Sequence, residues 1–524
     1  MKPPEDTTIP YPPDGPASTV GEAARLPTAS PVGRGGLHDV SPDMLSRATG
    51  SPEIAGNSVG LQFDGPYTFD VWIEAIEGAE RYVHFENYIL RNDKVGRVFR
   101  DALVEKARQG VEVRVLYDWV GCWATPRRYW KPFRQAGVEV RAFNRPSLRD
   151  PYGIFQRDHR KLVVVDGEVA YVGGFCVGQE WAGTSDEPPW RDTGVEIRGP
   201  AAEVAARAFG RIWDVMGEAL PSHVLEGRTA PVGGDTSVWL IEGEPRRSRV
   251  MRTLSLVAAM AQERLWITDP YFVAPGIVVE AMTEAARAGV DVRLLVPGNN
   301  NWPLVGSLSR AGYRYLLDHG VRLFEWQGPM IHAKSAVADG IWCRVGSSNL
   351  NAWSLLGNWE IDVGVMDASL AGQLESLFLA DLSFSSEIVL PGSRSIHTVA
   401  QAQHLPTTSE MPDTPLDPEG GLTERFEALM EARTRPWRLA HFVRAGASFG
   451  GALAGNRTLG REDRTILGTV SVMAIAAAAV VGFFPRVFGW AGAFVLLWLG
   501  VVTGVRALWH RWRARYPADQ DRDE

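Results

Sequence analysis

MIHAKSAVADGIWCRVGSSNL (residues 330–350) carries a histidine, a lysine two residues later, and an Asp-Gly pair where a short apolar run ends. Side chains two apart on a strand point to the same side, so His332 and Lys334 share a face. Asp339-Gly340 suits a tight hairpin turn. The returning strand then enters Gly346, Ser347, Ser348 and Asn349, small and polar residues that let a ligand approach the backbone closely. A second stretch, DHRKLVVVDGEVAYVGGFCVG (residues 158–178), repeats the arrangement with His159, Lys161, Asp166-Gly167 and Gly173-Gly174. A lone His-x-Lys is most simply an accident of a surface or core strand. Two copies with identical spacing call for a common cause.

The surroundings repeat as well. RYVHFENYIL (81–90) precedes the helix-like VGRVFRDALVEKARQG (95–110), then VEVRVLYD (111–118) and AGVEVRAF (136–143). RLWITDPYFV (264–273) precedes IVVEAMTEAARAG (277–289), then VDVRLLVP (290–297) and HGVRLFEW (319–326). Apolar strands alternating with amphipathic helices define an α/β fold. The histidines are 173 residues apart, so each repeat is a domain-sized half. The expectation is two tandem α/β halves, residues 56–225 and 226–392, packed about a pseudo-twofold axis that brings equivalent loops together.

With 524 residues the chain is long enough for two or more domains. A net charge of −8 argues against a surface built for nucleic acid. Three scattered cysteines, Cys122, Cys176 and Cys343, form neither a disulfide framework nor a zinc site. No secretory signal opens the chain, and residues 1–55, rich in Pro, Gly, Ser and Thr, read as a disordered arm.

The other end reads differently. Residues 465–484 and 487–505 lack any charged side chain, and each is long enough to cross a hydrocarbon layer of about 30 Å as a helix. Pro485-Arg486 between them forces a tight helical membrane hairpin over 465–505. Arg457, Arg461 and Arg464 precede it, while Arg506, Arg511, Arg513 and Arg515 follow in the polar tail 506–524. The positive-inside bias places both ends and the large body in the cytoplasm, at the cell membrane. The alternative is a buried helical hairpin. A linker covers 393–421, and 422–460 is a basic amphipathic segment that either lies on an anionic membrane surface or packs on the body.

Two facing His-Lys pairs suit substitution at a phosphodiester. One imidazole attacks phosphorus, the other protonates the leaving alkoxide, and the ammonium groups hold the phosphoryl oxygens. The chain contains six lysines, and two of them sit at the same offset from the two histidines; elsewhere it prefers arginine. No cluster of metal-ligand type is evident, so neither metal nor other cofactor is expected.

HRKLVVVD and HAKSAVAD match the HxKxxxxD signature of the phospholipase D superfamily. PWRDTGVEIRGP, DPYFVAPG and GSSNLNAWSLLGNWEI resemble its bacterial cardiolipin synthase branch. The resemblance covers residues 56–389. It implies a catalytic set of His159, Lys161, Asp166, His332, Lys334 and Asp339, with a phosphohistidine on His159 and His332 as acid. It further implies that Asp192 and Glu360 orient the imidazoles and that Asn349 and Ser347 help bind phosphate. Cys176 stands where the first half of such proteins usually has Asn, Asn351 replaces a common Asp, and Trp353 a frequent Arg. The hairpin is C-terminal, where typical relatives carry theirs at the N-terminus. A buried filler role suits Cys176 better than nucleophilic chemistry. Tyr88, Tyr271, Phe272 and Trp326 are candidates to admit a lipid. The expected activity is transfer of a phosphatidyl group from a phospholipid to an alcohol, in phospholipid biosynthesis. The alternatives are hydrolysis to phosphatidic acid and a non-catalytic lipid-binding protein.

Overall fold

The computed structural model describes residues 36–146, 156–227 and 234–390. The expected linker, amphipathic segment, hairpin and tail therefore lie outside the described residues. Among the described residues no helix is long and apolar enough to cross a membrane.

The first repeat contributes β1 (Ile54–Gln62), β2 (Tyr82–Asn87), β3 (Glu112–Asp118), β4 (Glu139–Phe143), β5 (Lys161–Val165), β6 (Val169–Gly173) and β7 (Gly194–Arg198). The second contributes β8 (Thr236–Gly243), β9 (Arg264–Thr268), β10 (Asp291–Pro297), β11 (Arg322–Trp326), β12 (Ser335–Ala338), β13 (Trp342–Gly346), β14 (Glu360–Met366) and an extra edge strand, β15 (Ser385–Ile388). These described strands join in the order β15-β11-β10-β9-β12-β13-β14-β8-β1-β7-β6-β5-β2-β3-β4. Outward from the β1–β8 seam, the two halves follow the same path. β2, β3 and β4 are mutually parallel, as are β9, β10 and β11, and each half's later strands run antiparallel.

The seam is short. Ile54 pairs with Val238 and Asn57 with Thr236, with an irregularity between. Buried Asn57 pins it: its amide donates to Ile54 O (2.7 Å) and Thr236 O (3.3 Å), and its oxygen accepts from Ala201 N–H (2.8 Å).

Strand β5 shows how sequence periodicity sets packing. Leu162 and Val164 enter a core shared by both halves, while Val163 and Val165 enter the first half's outer core. Every residue of this strand is buried because both sheet faces are covered, which the run LVVV anticipates. The shared core includes helices Pro200–Val215 and Ala368–Ser383, one from each half. Ala201, Ala202, Ala205, Ala206 and Ala208 give the first of these a small face that admits close approach.

The arm expected over 1–55 is corrected at its end. Leu37 and Leu45 are buried, and Pro42–Thr49 is a helix capped by the Ser41 hydroxyl, which accepts from Met44 N–H at 3.3 Å. It packs into the second half's outer core with Val250 and Leu254. Pro at the helix start and Gly50 in the left-handed conformation at its end are ordinary boundary signals. Inside a Pro/Gly-rich stretch they were outweighed by composition.

Candidate active site

Both Asp-Gly pairs form tight turns with positive φ at each residue: 55° and 70° at Asp166-Gly167, 50° and 66° at Asp339-Gly340. The aspartates, expected in the catalytic set, belong to architecture instead. Asp166 accepts from the backbone N–H groups of Glu80, Arg81 and Tyr82, each at 2.8 Å. Asp339 accepts from Gln262, Glu263 and Arg264 at 2.8, 2.9 and 2.8 Å. Each lies five strand residues beyond its lysine, about 16 Å away at strand rise.

At the other end of the strands the halves interlock. His159 N–H donates to Trp359 O (2.9 Å) and Trp359 N–H to Arg157 O (2.8 Å). His332 N–H donates to Arg191 O (2.6 Å) and Arg191 N–H to Met330 O (3.0 Å). Each histidine is thus clamped by the opposite repeat one residue before an acidic side chain. The acids complete the exchange: His159 Nδ1 meets Glu360 at 3.1 and 3.0 Å, and His332 Nδ1 meets Asp192 at 2.7 Å. With Nδ1–H donating to a carboxylate, Nε2 is the nitrogen left for chemistry.

The carboxylates are themselves held. Glu360 accepts from the hydroxyls of Ser347 (2.6 Å) and Ser354 and from the Asn358 amide (3.3 Å). Asp192 accepts from the indole N–H of Trp181 and the backbone N–H of Thr193, both at 2.8 Å. Burial pushes both acids up, but the adjoining imidazole, a lysine and these donors more than offset it, so both stay below the usual carboxylate range.

Lys161 and Lys334 are fully buried. Lys161 Nζ donates to His159 O (2.6 Å) and lies 5.1 Å over the Tyr88 ring. Lys334 Nζ stands 2.8 and 3.0 Å from the two ring nitrogens of His332. Burial lowers both imidazoles; the opposing carboxylate raises each again, and both ammonium groups reinforce the lowering. His332 falls to about 3, and burial brings Lys334 down to about 8. That each histidine feels both lysines shows the two strands converging on one place. Among the described residues no group of three or more His, Cys, Asp or Glu side chains could hold a metal ion.

Two expectations change. The Ser347 hydroxyl bridges Glu360 and the Ile361 N–H (2.9 Å), so it positions the acid and is not open to phosphate. Phe272 and Trp326 are buried in the cores and cannot admit a lipid, whereas Tyr88 lies 4.8 Å from His159 and Tyr271 5.9 Å from His332, ring to ring. Asn349 is buried, and its Oδ1 has no hydrogen-bond partner among the described residues. Asn351 caps the helix Ala352–Gly357 and donates to Tyr271 O (3.2 Å), and Trp353 is exposed. Cys176 is buried; burial pushes its thiol up although both lysines act on it. Trp181, Trp190 and Ser354 surround the site without having been anticipated, because no spacing in the sequence links them to the histidines. The flanking motif quoted around Ser354 held the only available signal.

The duplicated α/β half, with an HxKxxxxD strand in each copy, places the chain in the phospholipase D superfamily. The sequence model described as "Cardiolipin synthase, PLD-like domain" matches residues 72–198 and 257–382, once per half. Cardiolipin synthase A of Pseudomonas aeruginosa (strain LESB58) is 35% identical over 361 residues, spanning 68% of this chain and 73% of that one. Cardiolipin synthase A of Pseudomonas putida is 34% identical over 356 residues, 67% and 73% of the two chains. The crystal structure of phosphatidylserine synthase from Haemophilus influenzae shares the fold, with a TM-score of 0.54 at 15% identity over 66% of this chain and 92% of that one. The chain belongs to the cardiolipin synthase family of the phospholipase D superfamily, and it is an enzyme of that superfamily's phosphatidyltransferase and phosphodiesterase class.

Proposed function

We propose that the chain transfers a phosphatidyl group to an alcohol acceptor, cardiolipin synthase-like, through a phosphohistidine. Nε2 of His159 attacks phosphorus, the P–O bond to the leaving glycerol breaks, and His332 gives its Nε2 proton to the departing oxygen. The acceptor hydroxyl then returns a proton to His332 as its oxygen displaces His159. Lys161, Lys334 and Asn349 hold the phosphoryl oxygens. The observation that carries this reading is the crossed pairing of His159 with Glu360 and His332 with Asp192 through Nδ1, which keeps Nε2 of each ring clear of its carboxylate. Burial favours the neutral form of both imidazoles. A bound phosphodiester anion favours protonation of the one that serves as acid. The assignment of His159 as nucleophile rests on the resemblance.

In this reading the segment 465–505 anchors the protein in the cell membrane with the described body on the cytoplasmic side, and phospholipids are the donor and acceptor. The full chain is incubated with labelled phosphatidylglycerol, with and without a second lipid or polyol, and the products are analysed by mass. A dimeric lipid or polyol adduct is expected. Phosphatidic acid alone assigns the enzyme to hydrolysis, and lipid binding without any exchange removes the catalytic reading. Trapping the labelled enzyme and mapping the phosphorylated histidine tests the order of roles.

A further inference from the structure

Two large indoles stand in water at the same place in the two halves. Trp123 lies five residues beyond the end of β3 and Trp302 five residues beyond the end of β10, with 75% and 63% of their surfaces exposed. One exposed tryptophan is ordinary. An equivalent pair, conserved in placement across two halves that otherwise differ at most positions, points to a shared use.

Both loops open on the active-site end of the sheet. β3 is parallel to β2, whose continuation carries Tyr88 against His159. β10 is parallel to β9, whose continuation carries Tyr271 toward His332. Each loop is also fastened to its tyrosine segment. Leu90 N–H donates to Cys122 Sγ (3.2 Å), and Gly121 packs so closely that a Cβ there would meet Tyr88 O at 2.0 Å. In the second half Tyr271 OH donates to Asn301 Oδ1 and Asn300 Nδ2 to Pro270 O, both at 2.8 Å. The loops that carry the indoles are therefore fastened to the segments that carry Tyr88 and Tyr271.

Their surroundings carry a charge pattern. Exposed Arg127 and Arg128 follow Trp123 in the same connection. On the second half, exposed Trp353 and Leu356 share a short helix, and Arg246 N–H donates to Leu356 O (2.8 Å), which sets exposed Arg246 beside them, while Arg247 pairs with Glu244 at 3.3 Å. Aromatic side chains flanked by arginine suit the headgroup region of an anionic bilayer, where the ring meets the acyl boundary and the guanidinium the phosphates.

We propose that Trp123 and Trp302 are a paired interfacial anchor that seats the mouth of the site on an anionic lipid surface. Seated so, the phosphodiester enters between the histidines while the acyl chains remain in the bilayer. The inference rests on the lipid substrate proposed above. It is tested on the full chain with Trp123→Cys or Trp302→Cys carrying an environment-sensitive fluorophore. Cys122, Cys176 and Cys343 are buried, so the unsubstituted chain serves as the labelling blank. Gln109→Cys, exposed before the start of β3 and so at the opposite end of the sheet, is the control. In phosphatidylglycerol vesicles holding a shallow lipid-borne quencher, labels at 123 and 302 lose fluorescence and the label at 109 does not; phosphatidylcholine vesicles quench less. A label at either tryptophan position that stays in water, or equal quenching at 109, overturns the proposal. Depth is read at a single position, so anchoring elsewhere in the chain does not mask the result. In a second measurement, the Trp123→Ala/Trp302→Ala chain lowers turnover of vesicle-borne relative to dispersed short-chain phosphatidylglycerol by about tenfold, and an unchanged ratio overturns it. If the unsubstituted chain turns over neither substrate, the transfer reading fails while quenching still decides the anchor.

Discussion

Replacing Glu360 by Gln keeps the shape of the side chain and removes its charge. Both carboxylate oxygens face His159 Nδ1, at 3.1 and 3.0 Å, in a site from which bulk water is excluded. When Nε2 bonds to phosphorus the ring gains positive charge, and the carboxylate is the group placed to share it. Opposite unit charges 3.0 Å apart interact by roughly 5 kcal/mol at an effective dielectric near 20. At about 1.4 kcal/mol per decade, that is a loss of roughly a thousand- to ten-thousand-fold in turnover. The glutamine amide can still accept from Ser347 or Ser354, so the fold should survive, and thermal unfolding should shift little. The assay is steady-state phosphatidyl transfer beside a melt of the same preparation. A second comparison isolates the pair: in a chain already carrying His159→Ala, adding Glu360→Gln should cost nothing more. Turnover within tenfold of the unsubstituted enzyme, at an unchanged melting temperature, would refute the assignment of the carboxylate to the imidazole.

Three further outcomes follow from other parts of the structure. Asp166→Ala strands three backbone N–H groups and should lower stability by about 3 kcal/mol, read by denaturant unfolding, while turnover of the folded enzyme stays within about tenfold; a catalytic collapse without loss of stability would restore the aspartate to the reaction. Arg191→Leu breaks the buried ion pair with Asp381 and should cost about 3–5 kcal/mol, most of it recovered when Asp381→Leu is added; no recovery would mean that the ion pair is not the cause. Burial depresses His332 to about 3 from an unfolded value near 6.5, so the unfolded chain binds more protons within that window and stability falls on acidification. The loss from this residue is about 2 kcal/mol at pH 5, complete only near pH 3, and a His332→Gln chain should show that much less decline between pH 7 and 5 in parallel melts.

The duplicated architecture was legible because it rests on local patterns: β5 and β12 are apolar runs closed by Asp-Gly, and the flanking strands and helices recur in order. The histidines and lysines could be read from spacing alone, since period-two geometry puts them on one face before any tertiary structure is known. What the residues alone could not supply was partnership across the halves. Nothing local to Glu360 marks it as the companion of a histidine 201 positions earlier, and the link came only through family resemblance. The aspartates of the motif show the converse. Their fixed distance from the lysines invited a chemical reading, yet strands of five and four residues carry them to the far end of the sheet, where they tie down the chain ahead of β2 and β9. Ser347 misled similarly, because a hydroxyl beside a phosphate site can face the substrate or the acid behind it, and only coordinates distinguish the two.

The exchange of acids between repeats has a consequence for genetics. Because each imidazole borrows its partner from the other repeat, a lesion in one repeat disables the reacting group of its neighbour. Glu360→Gln and His159→Ala should therefore fail to complement each other when co-expressed as separate full chains, as should Asp192→Asn and His332→Ala, unless whole repeats trade places between molecules.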